Sequence, residues 1–203
     1  MHKKVKRKMW MSLIILFMAG GGYWFVTRSN PNMCHRAGDV LDVLDGVAIH
    51  YNGGIHATHG RNRTPDGYNI GIRYQCVEFI KRYFWERHKH RMPDSYGHAK
   101  DFFDPQLPDG GWNARRAMVQ HVNGGGTKPA KGDLVVFRPW LFNRYGHVAI
   151  VASVSNNTVE IAQQNPGPWG KTRTSYPLVC TENHWFIEHP RLLGWLRLPA
   201  TKT

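Results

Sequence analysis

Apolar residues run without a charge from Met9 to Val26 (MWMSLIILFMAGGGYWFV), 18 residues in all. At about 1.5 Å per residue a helix of that length roughly spans a thin hydrocarbon core. Lys3, Lys4, Lys6, Arg7 and Lys8 precede it, and only Arg28 follows closely. The positive-inside rule then puts residues 1–8 in the cytoplasm as a basic tail, 9–26 in the membrane as a single-pass anchor, and the rest outside. A cleaved signal peptide is the competing reading, with Gly20, Gly21 and Gly22 as small residues near a cleavage point. Tyr23, Trp24 and Phe25 continue the apolar run, however, and aromatics there suit an interfacial belt. Residues 27–36, with Ser29, Asn30, Pro31 and Asn32, read as a linker. Asn32 and Met33 are not the residues of a lipoprotein signal before Cys34.

Beyond the linker, 37–203 reads as one domain with no internal repeat. Residues 39–49 fit the start of a helix or a strand, and 50–73, rich in Gly, His, Asn and Arg, a long loop. Cys76 to about His88 reads as a helix: Val77, Ile80, Tyr83 and Phe84 fall on one face, with Lys81, Arg82 and Glu86 elsewhere. Pro93 marks its limit. A second helix is predicted from Ala99 or over Asn113–His121. Gly132–Phe137 (GDLVVF), His147–Val154 (HVAIVASV), Val159–Gln163 (VEIAQ) and Leu192–Leu198 (LLGWLRL) read as strands. Helices followed by antiparallel strands make the α+β pattern.

Charge changes this picture little. Lys+Arg number 27 against 14 Asp+Glu, giving +13. Six of those cations and no acid lie in residues 1–28, so about half the excess belongs to the targeting segment. A pI near 10 is therefore no sign of a nucleic-acid partner. With 41% apolar and 12% aromatic residues the chain is not a disordered or collagen-like one. Three cysteines, Cys34, Cys76 and Cys180, leave an odd thiol whichever pair forms.

Cys76 is the most informative position. A thiol at a helix N-terminus meets the positive end of the macrodipole, which favours the thiolate. Free backbone N–H groups of the first turn also suit a developing oxyanion. Such a nucleophile needs an imidazole base. His147, directly after Gly146 at the start of an apolar strand, is the best placed of twelve histidines. The bland readings are a buried small residue for Cys76 and a solvent-facing strand start for His147.

Gln75-Cys76-Val77-Glu78-Phe79, Gly132-Asp133-Leu134, Gly146-His147-Val148-Ala149-Ile150-Val151 and Ile161-Ala162-Gln163-Gln164-Asn165, in this order, resemble the CHAP superfamily of cysteine, histidine-dependent amidohydrolases and peptidases. Leu193-Gly194-Trp195-Leu196 is similar to the amidase domains of glutathionylspermidine synthetase/amidase within it. The resemblance covers roughly 66–198. It implies a papain-like CHAP fold, Cys76 as nucleophile, His147 as base, Gln75 in oxyanion support, and amide cleavage through a thioester with no cofactor and no metal. These 203 residues leave no room for an ATP-using synthetase domain beside it. With Cys76 assigned as the free thiol, Cys34 and Cys180 become the expected disulfide.

The family's third catalytic member is the acid of a Glu-Gln-Asn tripeptide. Here Gln163-Gln164-Asn165 stands there, so Gln163 and Asn165 complete the expected site. Glu160 lies too far along the strand to substitute. A neutral amide oxygen still fixes an imidazole tautomer, but gives no charge stabilisation to imidazolium. Parity sets a condition. His147 and Gln163 share a sheet face only if paired residue numbers sum to an even value. A two-residue Asn156-Asn157 turn gives an odd sum. The favoured solution is an odd-length loop at 155–157 or 155–159; the other is a bulge that restores the parity.

The sequence thus points to a membrane-tethered extracytoplasmic cysteine amidase or endopeptidase at the inner membrane. Peptidoglycan peptide is its leading substrate. A polyamine-conjugate amidase and a non-catalytic envelope-binding module are the rivals. His56-x-x-His59 and His88-x-His90 lack partners with metal-ligand spacing, so loop and surface histidines are expected. Arg61, Arg63, Arg73, Lys81 and Arg82 suggest a basic rim, and Trp140, Trp169 and Trp185 either a substrate groove or core packing.

Overall fold

The computed structural model describes residues 2–200 and begins with helix α1 (His2–Arg28). Asp45-Gly46 turns β1 (Val40–Leu44) back on β2 (Val47–His50), and β3 (Arg61–Arg63) pairs with β4 (Asn69–Ile72). Helix α2 (Cys76–His88) follows. It stops before Pro93 is reached, because Lys89 adopts a left-handed conformation (φ 53°) and returns its N–H to the last turn. Where a second helix was expected, Ala99–Phe102 forms a single 3-10 turn, and the stretch 113–121 is divided between β5 (Gly111–Asn113) and β6 (Met118–Val122). Next come β7 (Leu134–Phe137), β8 (His147–Val154), β9 (Thr158–Ala162), β10 (Arg173–Thr181), β11 (His184–Ile187) and β12 (Leu192–Arg197). The loop reading of 50–73 missed β3 and β4, and β10 and β11 were not anticipated.

Eight strands form one antiparallel sheet in the order β11-β10-β9-β8-β7-β12-β6-β5. β7 and most of β8 are buried on both faces. Leu134, Val136, Val148 and Ile150 pack with Phe79, Ile80, Tyr83 and Phe84 of α2. Val135, Ala149, Val151 and the fully buried Trp195 form the opposite core with Val159 and Ile161. That double burial explains why these strands read as continuous apolar runs. At about 25 cal/mol per Å², a large aromatic such as Trp195 buried whole is among the strongest single contributors to folding.

The β8–β9 hairpin meets the parity condition by the less favoured route. Ser155 N–H bonds the Thr158 carbonyl at 2.8 Å, so the tight Asn156-Asn157 turn is present and the odd loop is not. Pairing starts out of parity (Val154 opposite Val159, Ser153 opposite Glu160). It then shifts by one residue, to Val151 opposite Ile161 and Ile150 opposite Ala162. Ala152 is the extra residue, a β-bulge in mid-strand. Past it, His147 and Gln163 lie on one face.

The cysteine expectation also changes. Cys34 and Cys180 are exposed and unbridged. Cys180 sits on β10, opposite Trp185 of β11 near the sheet edge, whereas Cys34 lies in the linker near Tyr51.

Candidate active site

Cys76 opens α2 with Gln75 as an extended N-cap (φ −78°, ψ 157°) that makes no side-chain cap. The first-turn N–H groups therefore remain available on the cleft side. His147 opens β8 after Gly146, whose φ of 75° and tight surroundings admit no side chain: a Cβ there would stand 2.7 Å from the Phe137 carbonyl. Cys76 and His147 line one cleft of about 1070 Å³.

His147 Nε2 lies 2.9 Å from Gln163 Oε1. The Gln163 amide nitrogen donates to the Lys171 carbonyl at 3.0 Å and to Thr174 Oγ1 at 3.2 Å. A carbonyl accepts only, so the amide orientation is fixed and its oxygen faces the imidazole. His147 Nε2 must then carry the proton, which leaves Nδ1 as the free lone pair of the ring. Gln163 thus sets the tautomer of His147.

Burial dominates the electrostatics. It pushes the Cys76 thiol up to about 11, against the opposing bonds from the N–H groups of Val148, Val77 and Cys76 itself. It pushes His147 down to about 4, opposed by the bond to Gln163 and reinforced by Arg191 and His189. Burial thus favours the neutral thiol and the neutral imidazole over their charged forms. The expected thiolate of a helix N-terminus is outweighed by desolvation.

Asn165 and Gln75 act on each other. Asn165 adopts a left-handed backbone (φ 58°) and donates from Nδ2 to Gln75 Oε1 at 2.8 Å and to the Ile55 carbonyl at 2.9 Å. Gln75 Nε2 donates to the carbonyls of Ala57 at 2.7 Å and Ile55 at 3.3 Å. Both Gln75 amide hydrogens are thus engaged, so its side chain holds the 55–57 loop beside Cys76.

Behind this layer is a network the sequence reading did not single out. Gln164 is fully buried; it donates to the Gln75 carbonyl at 3.0 Å and to Glu78 Oε2 at 2.9 Å, and accepts from His50 N–H at 2.8 Å. Glu78 is 2% exposed and accepts from Arg82 Nε at 2.8 Å and Asn62 Nδ2 at 2.8 Å. The available signal was Glu78–Arg82 at i,i+4, just after Cys76 in the same helix. Lys81 is buried too; it donates to the Asn69 and Ser95 carbonyls, and burial lowers it to about 8. Of the expected basic rim, Lys81 and Arg82 are therefore interior, while Arg61 does line the cleft.

His56 and His59 also line the cleft, and Tyr23 and Arg28 of α1 close one side of it. Among the described residues no group of three His, Cys, Asp or Glu side chains stands close enough to hold a metal ion. Trp140 and Trp169 are exposed, Trp185 is half-buried, and none of the three lines the cleft.

The chain is 29% identical over 177 residues to "Trypanothione synthetase" of Crithidia fasciculata, covering 80% of this chain and 27% of that one. It is 29% identical over 147 residues to "Bifunctional glutathionylspermidine synthetase/amidase" of Escherichia coli (strain K12), covering 67% and 23%. It spans about a quarter of the length of these curated relatives. The solved structure "The crystal structure of Ly7917" matches with a TM-score of 0.36 at 18% identity, over 62% of this chain and 53% of that one. The family model described as CHAP domain matches residues 64–165, from the turn before β4 through Asn165. Half of this chain, carrying Cys76, His147 and the Gln163–Asn165 tripeptide, falls inside that match, and the protein belongs to the CHAP domain family.

Proposed function

We propose that the protein is a cysteine amidohydrolase of papain-like fold that cleaves an amide through a thioester on Cys76. The observation that carries this is the 2.9 Å bond between His147 Nε2 and Gln163 Oε1 in a cleft shared with Cys76. It directs the unprotonated Nδ1 to the work of a base. As sulfur attacks the amide carbon, Nδ1 takes the thiol proton. The C=O electrons move onto oxygen, which the Cys76 and Val77 N–H groups stabilise. Collapse breaks the C–N bond, and the imidazolium returns its proton to the leaving amine. Water, deprotonated by His147, then releases the acid and restores the thiol.

Helix α1 holds a stretch, Lys8–Arg28, of mean hydropathy 1.6 that is long and apolar enough to cross a membrane, and Met9–Val26 within it is exposed. In our reading it anchors the enzyme with 29–203 outside, where peptide of the cell wall is the substrate. The E. coli relative's name supports a second substrate, glutathionylspermidine, by analogy alone. The test is full-length protein in detergent, incubated separately with cell-wall muropeptides and with glutathionylspermidine, and product masses recorded. We expect new amine termini from one substrate. Cys76→Ala and His147→Ala each lower turnover by at least about a thousandfold, and the double variant is little worse. Turnover surviving Cys76→Ala removes the nucleophile assignment.

A further inference from the structure

Outside α1, Trp140, Leu141 and Phe142 are the one run of three adjacent large apolar side chains exposed among the described residues, at 46%, 87% and 48%. They form a tight turn. Trp140 and Asn143 exchange backbone hydrogen bonds at 3.0 Å, and the Asn143 side chain bonds Gly146 O at 2.8 Å and Tyr145 N–H at 3.1 Å. The Trp140 and Phe142 rings meet edge-on with centroids 4.9 Å apart. This is a built apolar tip, and nothing in the domain covers it.

Its position relative to α1 says what does. The Phe142 ring lies 6.3 Å from the Tyr23 ring, and the Tyr23 hydroxyl reaches the Phe142 carbonyl at 3.3 Å. Tyr23 is three residues inside the end of the apolar run at Val26, about 4.5 Å along the axis. The tip therefore stands beside the membrane-facing part of the helix, not beyond its end. The helix is held to the domain there: His56 and Gly54 donate to the Thr27 and Ser29 carbonyls at 2.8 Å. A Cβ on Gly54 would stand 2.5 Å from the Thr27 carbonyl, so only glycine permits that approach. Cations surround the tip. Arg28, Arg138 and Arg144 are exposed, and the Arg191 guanidinium sits 5.0 Å from the Trp140 ring centroid. Aromatics edged by arginines match the interface of a bilayer carrying anionic lipid.

We propose that the Trp140–Phe142 tip inserts into the bilayer interface as a second membrane contact. The inference rests on α1 being a membrane anchor, as proposed above. Leu141, Phe142 and Arg144 also line the wall of the cleft that holds Cys76, as do Tyr23 and Arg28. Insertion therefore sets the cleft mouth at headgroup level, and the substrate is an amide presented at the membrane surface.

The test uses the full chain with Cys34→Ser, Cys76→Ala and Cys180→Ser, reconstituted in vesicles of equal phosphatidylcholine and phosphatidylglycerol. One spin label at a time is attached through Leu141→Cys, Phe17→Cys or Glu86→Cys. Glu86 lies at the end of α2 away from the cleft. Collision with lipid-soluble oxygen is compared with collision with a water-soluble nickel chelate. We expect oxygen to dominate at positions 141 and 17, and nickel at 86. Nickel dominating at 141 while oxygen dominates at 17 overturns the tip contact and leaves the anchor standing. Oxygen at 141 with nickel at 17 keeps the contact and overturns the anchor. Nickel at both overturns the two together. Leu141 is exposed, so its replacement leaves the fold intact.

Discussion

The two walls of the cleft that holds Cys76 and His147 are built on opposite terms. The inner wall, where α2 meets the end of the sheet, is buried and densely hydrogen-bonded: Gln164, Glu78, Arg82 and Asn62 bond one another, and Gln163 is held by two acceptors while it holds His147. The mouth is apolar and cationic, with Leu141 and Phe142 exposed beside Arg28 and Arg144. Low dielectric at the inner wall makes each bond there strong and each missing partner costly. The mouth contributes little to folding and is free to serve contact.

The sharpest way to break this contrast is at Arg82. Arg82→Ala leaves Glu78 buried and charged, and loss of one partner of such a pair costs about 3–5 kcal/mol. We expect a clear fall in the thermal midpoint, with turnover falling as the Cys76 turn loosens. A midpoint equal to wild type means the network is not a structural brace. Gln163→Leu removes the bond to His147 with the tautomer it imposes, along with the bonds to Lys171 and Thr174. At about 1–2 kcal/mol in the transition state, kcat drops roughly five- to thirtyfold. Gln163→Glu retains or raises kcat and puts a carboxylate beside the imidazole.

That pair of variants also reads out in pH. His147 must be neutral to act as base, so activity is lost as pH falls through about 4. The carboxylate of Gln163→Glu stabilises imidazolium and moves this acid limb to higher pH. A purely structural glutamine would leave the limb in place. With the Cys76 thiol near 11, alkylation by iodoacetamide in the empty enzyme climbs steadily from pH 6 to pH 9. A plateau across that range reveals a standing thiolate–imidazolium pair instead. The smallest effect is expected at the mouth. Leu141→Ser, measured in detergent, changes stability by no more than about 0.5 kcal/mol.

What was legible in the sequence divides along the same line. β8 and α2 were readable almost to the residue, because local periodicity and the Cys76 and His147 motifs coincide there. Lys81 and Arg82 were read as surface. Their partners, Asn69, Ser95, Glu78 and Gln164, come largely from distant parts of the chain, and a one-helix pattern cannot show burial by remote polar groups. β6 was read as helix for a related reason: Gln120 is fully buried, bonded to Asp104 and Asn113, so the strand lacks the usual apolar alternation. β10 escaped because Pro177 and mostly exposed residues blur its period. Nothing in the sequence indicated that Tyr23 and Arg28 wall the cleft, since docking of α1 is a long-range contact.

The bulge at Ala152 has a consequence for the lineage of such hairpins. It separates the geometry of the tip from the geometry of the catalytic end. A descendant that gains one residue at Asn156-Asn157 turns its tip into a three-residue loop, and the bulge still holds the register beyond it. A descendant that loses Ala152 alone loses the bulge but keeps Val151 opposite Ile161, so His147 and Gln163 still share a face. An insertion at the tip and a deletion at the bulge are therefore each tolerated alone. Relatives aligned across this hairpin should show either one by itself, with the spacing between the histidine and its partner free to change by one residue.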